Sequence, residues 1–133
     1  MDTETQKRKL LIVEDDEDSQ KFLALFLKRS FELQLSNSAD TFYEKLENYE
    51  FDLILMDVSL RGEKDGLQLT REIKKIDKYK NIPIVALTAH AYQRDRAEAY
   101  KAGVNYFLTK PVKNDLLLET LLLAIEENND NLK

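Results

Sequence analysis

The chain has no cysteine and no tryptophan, and only one histidine, two prolines and three glycines among its 133 residues. Without cysteine it can build neither a disulfide framework nor a thiolate metal site, and nothing in the composition indicates secretion, so a reducing cytoplasm is the default setting. No stretch approaches the roughly 20 apolar residues of a membrane span. The amino end, Met1-Asp2-Thr3-Glu4-Thr5-Gln6, is polar and has no apolar signal core. Basic residues are outnumbered, leaving a formal charge of −5. This argues against nucleic acid as a direct partner, which requires a clustered basic surface. Lys7-Arg8-Lys9 is a short basic patch and reads as a solvated lead-in. Internal repeats and low-complexity stretches are also missing. The length fits one domain over 1–133 with a core at about 9–128, burying roughly two-thirds of the unfolded chain's surface.

What is present is a series of apolar runs that stop on polar residues. Residues 53–56 are uninterruptedly apolar and end on Asp57; residues 10–13 are apolar and end on Glu14-Asp15-Asp16. Such runs suit strands buried on both faces. A third run, 84–87, follows Pro83 and ends on Thr88, and a shorter one, 106–108, leads into Thr109-Lys110-Pro111. Residues 31–35 alternate, as an edge strand with one wet face does. Between these runs the spacing predicts helices over 18–29, from the Ser38 cap to about 48, about 67–76, 93–102 and 114 to about 128, with 129–133 fraying. Asp16 and Asp18 read as start signals of the first helix, Lys28-Arg29 as its basic last turn, and Gly103 as the stop of the fourth.

Five strands alternating with five helices imply an α/β fold, a doubly wound parallel sheet in the flavodoxin-like order 2-1-3-4-5. In that order Glu14, Asp15, Asp57, Thr88 and Lys110 emerge at the carboxyl end of the sheet, where such folds bind ligands. Three crowded carboxylates repel one another unless a cation neutralises them. Oxygen ligands without His or Cys favour magnesium, with manganese as a substitute. A carboxylate beside such an ion, with a hydroxyl and an ammonium opposite, suits phosphoryl transfer.

The residues Ile12-Val13-Glu14-Asp15-Asp16, Leu55-Met56-Asp57, Ala86-Leu87-Thr88-Ala89 and the stretch from Gly103 through Phe107-Leu108-Thr109-Lys110-Pro111 resemble the receiver domain of two-component response regulators over nearly the whole chain. The resemblance implies that Asp57 is the phosphoacceptor. It makes Asp15 and Asp57 direct magnesium ligands, with Glu14 acting through metal-bound water and the Ser59 carbonyl as main-chain ligand. Thr88 becomes the switch hydroxyl, Phe107 the aromatic that swings inward with it, and Lys110 the cation holding a phosphoryl oxygen. A cis Lys110-Pro111 bond is implied as well. The implied partners are a sensor histidine kinase or histidine phosphotransfer protein and a downstream protein docking on the fourth helix, fifth strand and fifth helix.

Several residues depart from the family's commonest form. The loop after Asp57 carries Arg61-Gly62 in place of a proline, and Asp65-Gly66 lies one residue further along than is typical. Phe107 has no ring hydroxyl, and Ser59 and His90 occupy positions that tune phosphoryl lifetime in the family. His90 by itself reads as a rim residue. On the last helix Leu117, Leu118, Leu121, Leu122 and Ile125 share a core face. Leu116 and Leu123 fall opposite, among Glu119, Thr120, Glu126 and Glu127, either as ordinary exposed leucines or as part of a docking or homodimer surface. The expected function is that of a stand-alone, non-enzymatic receiver, with no room after residue 128 for a DNA-binding domain. The rivals are a receiver segment of a hybrid histidine kinase or phosphorelay and an aspartate-nucleophile phosphatase. Ser59 stands where such phosphatases carry a second aspartate.

Overall fold

The computed structural model describes residues 7–60, 62, 64–89 and 93–131. His90 and Arg61 lie outside these residues, as do 1–6 and 132–133. Five strands, β1 (Arg8–Val13), β2 (Phe31–Ser36), β3 (Leu53–Asp57), β4 (Ile84–Thr88) and β5 (Tyr106–Thr109), alternate with five helices. The helices are α1 (Glu17–Leu27), α2 (Ala39–Asn48), α3 (Gly66–Ile73), α4 (Gln93–Ala102) and α5 (Asn114–Asn131). The strands form one sheet in the order β2-β1-β3-β4-β5, every neighbouring pair parallel. The flavodoxin-like architecture expected from the alternation is therefore the one observed.

Successive strand residues point to opposite faces, which divides the continuous apolar runs between two cores. Leu11, Val13, Ile54, Met56, Ile84 and Ala86 face α2, α3 and α4, where Phe42, Leu46, Leu69, Ile73 and Ala99 meet them. Leu10, Ile12, Leu53, Leu55, Val85 and Leu87 face α1 and α5, packing on Leu23, Leu27, Leu117, Leu121, Ala124 and Ile125. At about 1.5–3 kcal/mol for each fully buried large aliphatic side chain, this two-sided burial holds the middle strands, and with them the residues at their carboxyl ends.

Helix starts follow the capping residues. Asp16, Ser38 and Asp65 accept from the backbone N–H groups of Ser19, Thr41 and Gln68, and Ser38 and Thr41 form a reciprocal capping box. Gly103 takes φ +118° after α4, as a left-handed stop requires. The Lys110-Pro111 peptide is cis.

Helix ends differ from expectation in three places. Helix α1 stops at Leu27, so Lys28 is its C-cap, with its N–H bonded to the Ala24 carbonyl, and no basic residue stands in the last turn. Helix α3 stops at Ile73, three residues early. The chain coils on through three-residue turns, Ile76 N–H to Ile73 O and Tyr79 N–H to Ile76 O, which preserve a helix-like apolar spacing. Helix α5 continues through residue 131 instead of fraying from 129.

The buried arc of α5 is also rotated from the expected one. Leu122 is 47% exposed, whereas Thr120 is only 7% exposed. Burial of Thr120 is tolerated because its hydroxyl donates to the Leu116 carbonyl at 2.7 Å. Leu116 and Leu123 are exposed, as predicted.

Candidate functional site

The site is built by parallel strands that end together. Val13 is paired with Met56, Asp57 with Leu87, and Thr88 with Thr109. The residues at or just beyond those ends are Glu14 and Asp15 from β1, Asp57 from β3, Thr88 from β4 and Lys110 from β5. Main-chain bonds tie the loops across the rim. Val58 N–H donates to Leu87 O at 3.2 Å, and Lys110 N–H to Thr88 O at 2.7 Å.

Glu14, Asp15 and Asp57 each offer a carboxylate oxygen, and the three lie within 4.8 Å of one another. Glu14 is 1% exposed and Asp57 5%, while Asp15 is half-buried. Lys110 Nζ stands 2.8 Å from Glu14 Oε1 and 3.7 Å from Asp57 Oδ2. One ammonium thus serves two buried carboxylates, with a third alongside.

The electrostatic consequence appears in the titration of the pair. Burial first, and then the neighbouring Asp57 carboxylate, outweigh Lys110 and push the Glu14 carboxyl up to about 7. Burial works against the Lys110 charge, but its bond to Glu14 and the charges of Asp57, Glu14 and Asp16 hold its pKa above the ordinary lysine value. Among the described residues, three carboxylates gathered beside one ammonium, with no nitrogen or sulfur ligand in the group, fit a hard divalent cation of the magnesium class.

The surrounding contacts fix the acids in place. Asp57 Oδ1 accepts from both the N–H and the hydroxyl of Ser59, each at 2.9 Å. Asp16 N–H donates to Glu14 Oε2 at 3.2 Å. The Gln20 side-chain amide bridges the Glu14 and Ser36 carbonyls. Helix α3 begins hard against β3, because a Cβ on Gly66 would stand 2.4 Å from the Asp57 carbonyl oxygen. Lys64, in the loop between Asp57 and α3, is anchored 2.8 Å from Glu72. The Tyr43 hydroxyl also donates to Glu72, and burial followed by the Glu72 bond pushes that phenol well above its ordinary pKa.

Every strand-end residue expected from the sequence reaches this rim. Thr88 is fully buried, and Phe107 is turned into the core at 5% exposure. Sequence reading missed the two hydrogen bonds that Ser59 donates to Asp57, although Asp-x-Ser is a recognisable signal for an Asx turn. It also missed Arg96, whose guanidinium carbon lies 5.1 Å from the centroid of the Phe107 ring.

The model of the response regulator receiver domain family matches residues 10–122 of the chain. The chain is 32% identical over 114 residues to the CAI-1 autoinducer sensor kinase/phosphatase CqsS of Vibrio cholerae, covering 84% of this chain and 16% of that protein. It is 33% identical to hybrid signal transduction histidine kinase I of Dictyostelium discoideum, covering 93% of this chain and 8% of that one. The chain therefore spans only a small part of these kinases.

Among solved structures, the receiver domain of a sensor histidine kinase from Pseudomonas aeruginosa is 33% identical, with a TM-score of 0.82 over 90% of this chain and 98% of that one. That structure has a magnesium ion coordinated in its active-site cleft. A CheY-like receiver from Methanospirillum hungatei, 24% identical, shares the fold with a TM-score of 0.85 over 95% of this chain and 99% of that one. With its five-stranded order, its rim of acids and the match over residues 10–122, the chain belongs to the response regulator receiver domain family of two-component signalling.

Proposed function

We propose that the chain accepts a phosphoryl group on Asp57 from the phosphohistidine of a histidine kinase or histidine phosphotransfer protein, in a magnesium-dependent reaction. The observation that carries this reading is the meeting of Asp57 with Glu14, Asp15 and Lys110 at one rim. Asp57 Oδ2 is the attacking oxygen in this scheme. Oδ1 is held by two donors from Ser59, whereas Oδ2 faces the ammonium. Attack on phosphorus forms the Asp57 O–P bond and breaks the histidine N–P bond, and the imidazole departs with the electron pair. Lys110 then holds a phosphoryl oxygen. Asp15 and Asp57 would ligate magnesium directly, Glu14 through water and Ser59 through its carbonyl. The ion, or manganese in its place, supplies charge neutralisation at the transferring group.

The product works as a two-state switch. Thr88 turns toward the phosphoryl group and Phe107 stays inward with it, biasing the α4–β5–α5 surface toward a downstream protein. Leu116 and Leu123 on α5 belong to that surface; a second copy of the chain is the competing occupant. Receiver domains are signalling domains, and this one is assigned no turnover reaction on free phosphomonoesters. Among the described residues no helix is long and apolar enough to cross a membrane; a kinase substrate of this type works in the cytoplasm.

Acetyl phosphate with magnesium is expected to label the chain with one phosphoryl equivalent, and Asp57→Asn to abolish it. Full labelling of the Asn variant, or steady turnover of a phosphomonoester, would overturn the assignment. The small share of the kinases that the chain covers favours a second reading, a receiver segment within a phosphorelay. In that reading the labelled chain passes its phosphoryl group to a histidine phosphotransfer protein instead of switching a downstream target.

A further inference from the structure

Phe107 and Thr88 occupy the same face of the sheet on neighbouring strands, since Thr88 is paired with Thr109 and Ala86 with Phe107. The small Ala86 side chain leaves room for the ring, which joins a core cluster with Ala99 and Val104. Arg96 lies on α4 one turn before Ala99. Ala99 is fully buried, and Arg96, at the exposed rim of the same helix face, lays its guanidinium over the ring at 5.1 Å. A guanidinium at that distance is attracted by the negative face of the ring. Swinging the ring outward would forfeit this attraction together with the ring's burial.

We propose that Arg96 is a positioning residue that holds Phe107 inward and carries the ring's position to α4. The proposal rests on the reading of Asp57 as phosphoacceptor with Thr88 and Phe107 as its switch. The guanidinium takes the place of a hydrogen-bonded ring hydroxyl, because phenylalanine offers only its π-face to a polar partner. By linkage, whatever favours the inward ring favours a phosphoryl group on Asp57 by the same factor.

Two measurements on the full chain test this. The first is the Phe107 χ1 population, read by NMR of selectively labelled phenylalanine without any phosphoryl analogue. The second is a double-mutant cycle on magnesium-dependent beryllofluoride affinity by calorimetry. Arg96→Met is expected to move Phe107 toward outward rotamers and to weaken beryllofluoride roughly two- to fivefold, the range expected of an exposed cation–π contact. Arg96→Lys should recover part of the loss, and Arg96→Met should have no effect in a Phe107→Leu background. An unchanged rotamer population in Arg96→Met would overturn the proposal. So would an equal loss of affinity in both backgrounds, which would mark a general charge effect. Failure of the unaltered protein to bind beryllofluoride would count against the acceptor role of Asp57, and the rotamer measurement would still decide the role of Arg96.

Discussion

Glu14 and Lys110 are 96 residues apart in the chain, yet Nζ donates to Oε1 at 2.8 Å, closer than its 3.7 Å approach to Asp57 Oδ2. The ammonium is thus held mainly by an acid whose charged form burial disfavours.

Replacing Lys110 by Met leaves two buried carboxylates without their ammonium. Stability without magnesium should fall by about 1–3 kcal/mol, the cost of unpairing a largely buried group. Magnesium should bind at least as tightly, because a repelling charge has gone, while the labelling rate drops on the order of a hundredfold. Urea unfolding, metal titration and acetyl phosphate labelling check the three parts.

The raised Glu14 pKa sets a pH dependence of stability. The folded state holds a proton that the unfolded chain releases, so the contribution is fully present below 4.5 and is lost as pH rises through about 7. The loss amounts to roughly 3 kcal/mol. In chelator, urea midpoints should fall across this window, and Glu14→Gln should remove that part of the slope.

The same proton would compete with a metal bound at these acids. Apparent magnesium affinity should level off above about 7 and fall up to about tenfold per pH unit below it. Glu14→Gln should flatten this dependence between pH 6 and 8 in a metal titration followed by NMR.

Gly66→Ala places a methyl 2.4 Å from the Asp57 carbonyl oxygen, a backbone atom that cannot step aside. The expected cost is about 1–3 kcal/mol, from forcing α3 away from β3. Weaker magnesium binding should accompany it, because Asp57 moves with its carbonyl. Thermal unfolding with and without magnesium separates the two effects.

The strands and their polar ends were legible in the sequence because burial on both faces leaves a plain mark: Leu10-Leu11-Ile12-Val13 and Leu53-Ile54-Leu55-Met56 are unbroken apolar runs, and each stops on acid. Helix ends were less legible. Ile76 keeps the apolar spacing of α3 while its backbone has already passed into three-residue turns. Leu122 was misplaced because a helical wheel gives the angle between residues but not which arc the sheet covers. Thr120 could replace it only through its bond to the Leu116 carbonyl. Contacts across elements, such as Arg96 on Phe107 or Lys64 on Glu72, leave no trace in local pattern.

The acids come from β1 and β3, whereas the ammonium follows β5. A chain that ends at α4 carries the Asp57 carboxylate but not the Lys110 ammonium. If Asp57 accepts a phosphoryl group as proposed, competence to receive it is therefore acquired only once β5 and Lys110 are in place. Labelling by a small phosphodonor could then serve as a gauge of completed folding, usable on nascent or truncated forms where unfolding curves are hard to read.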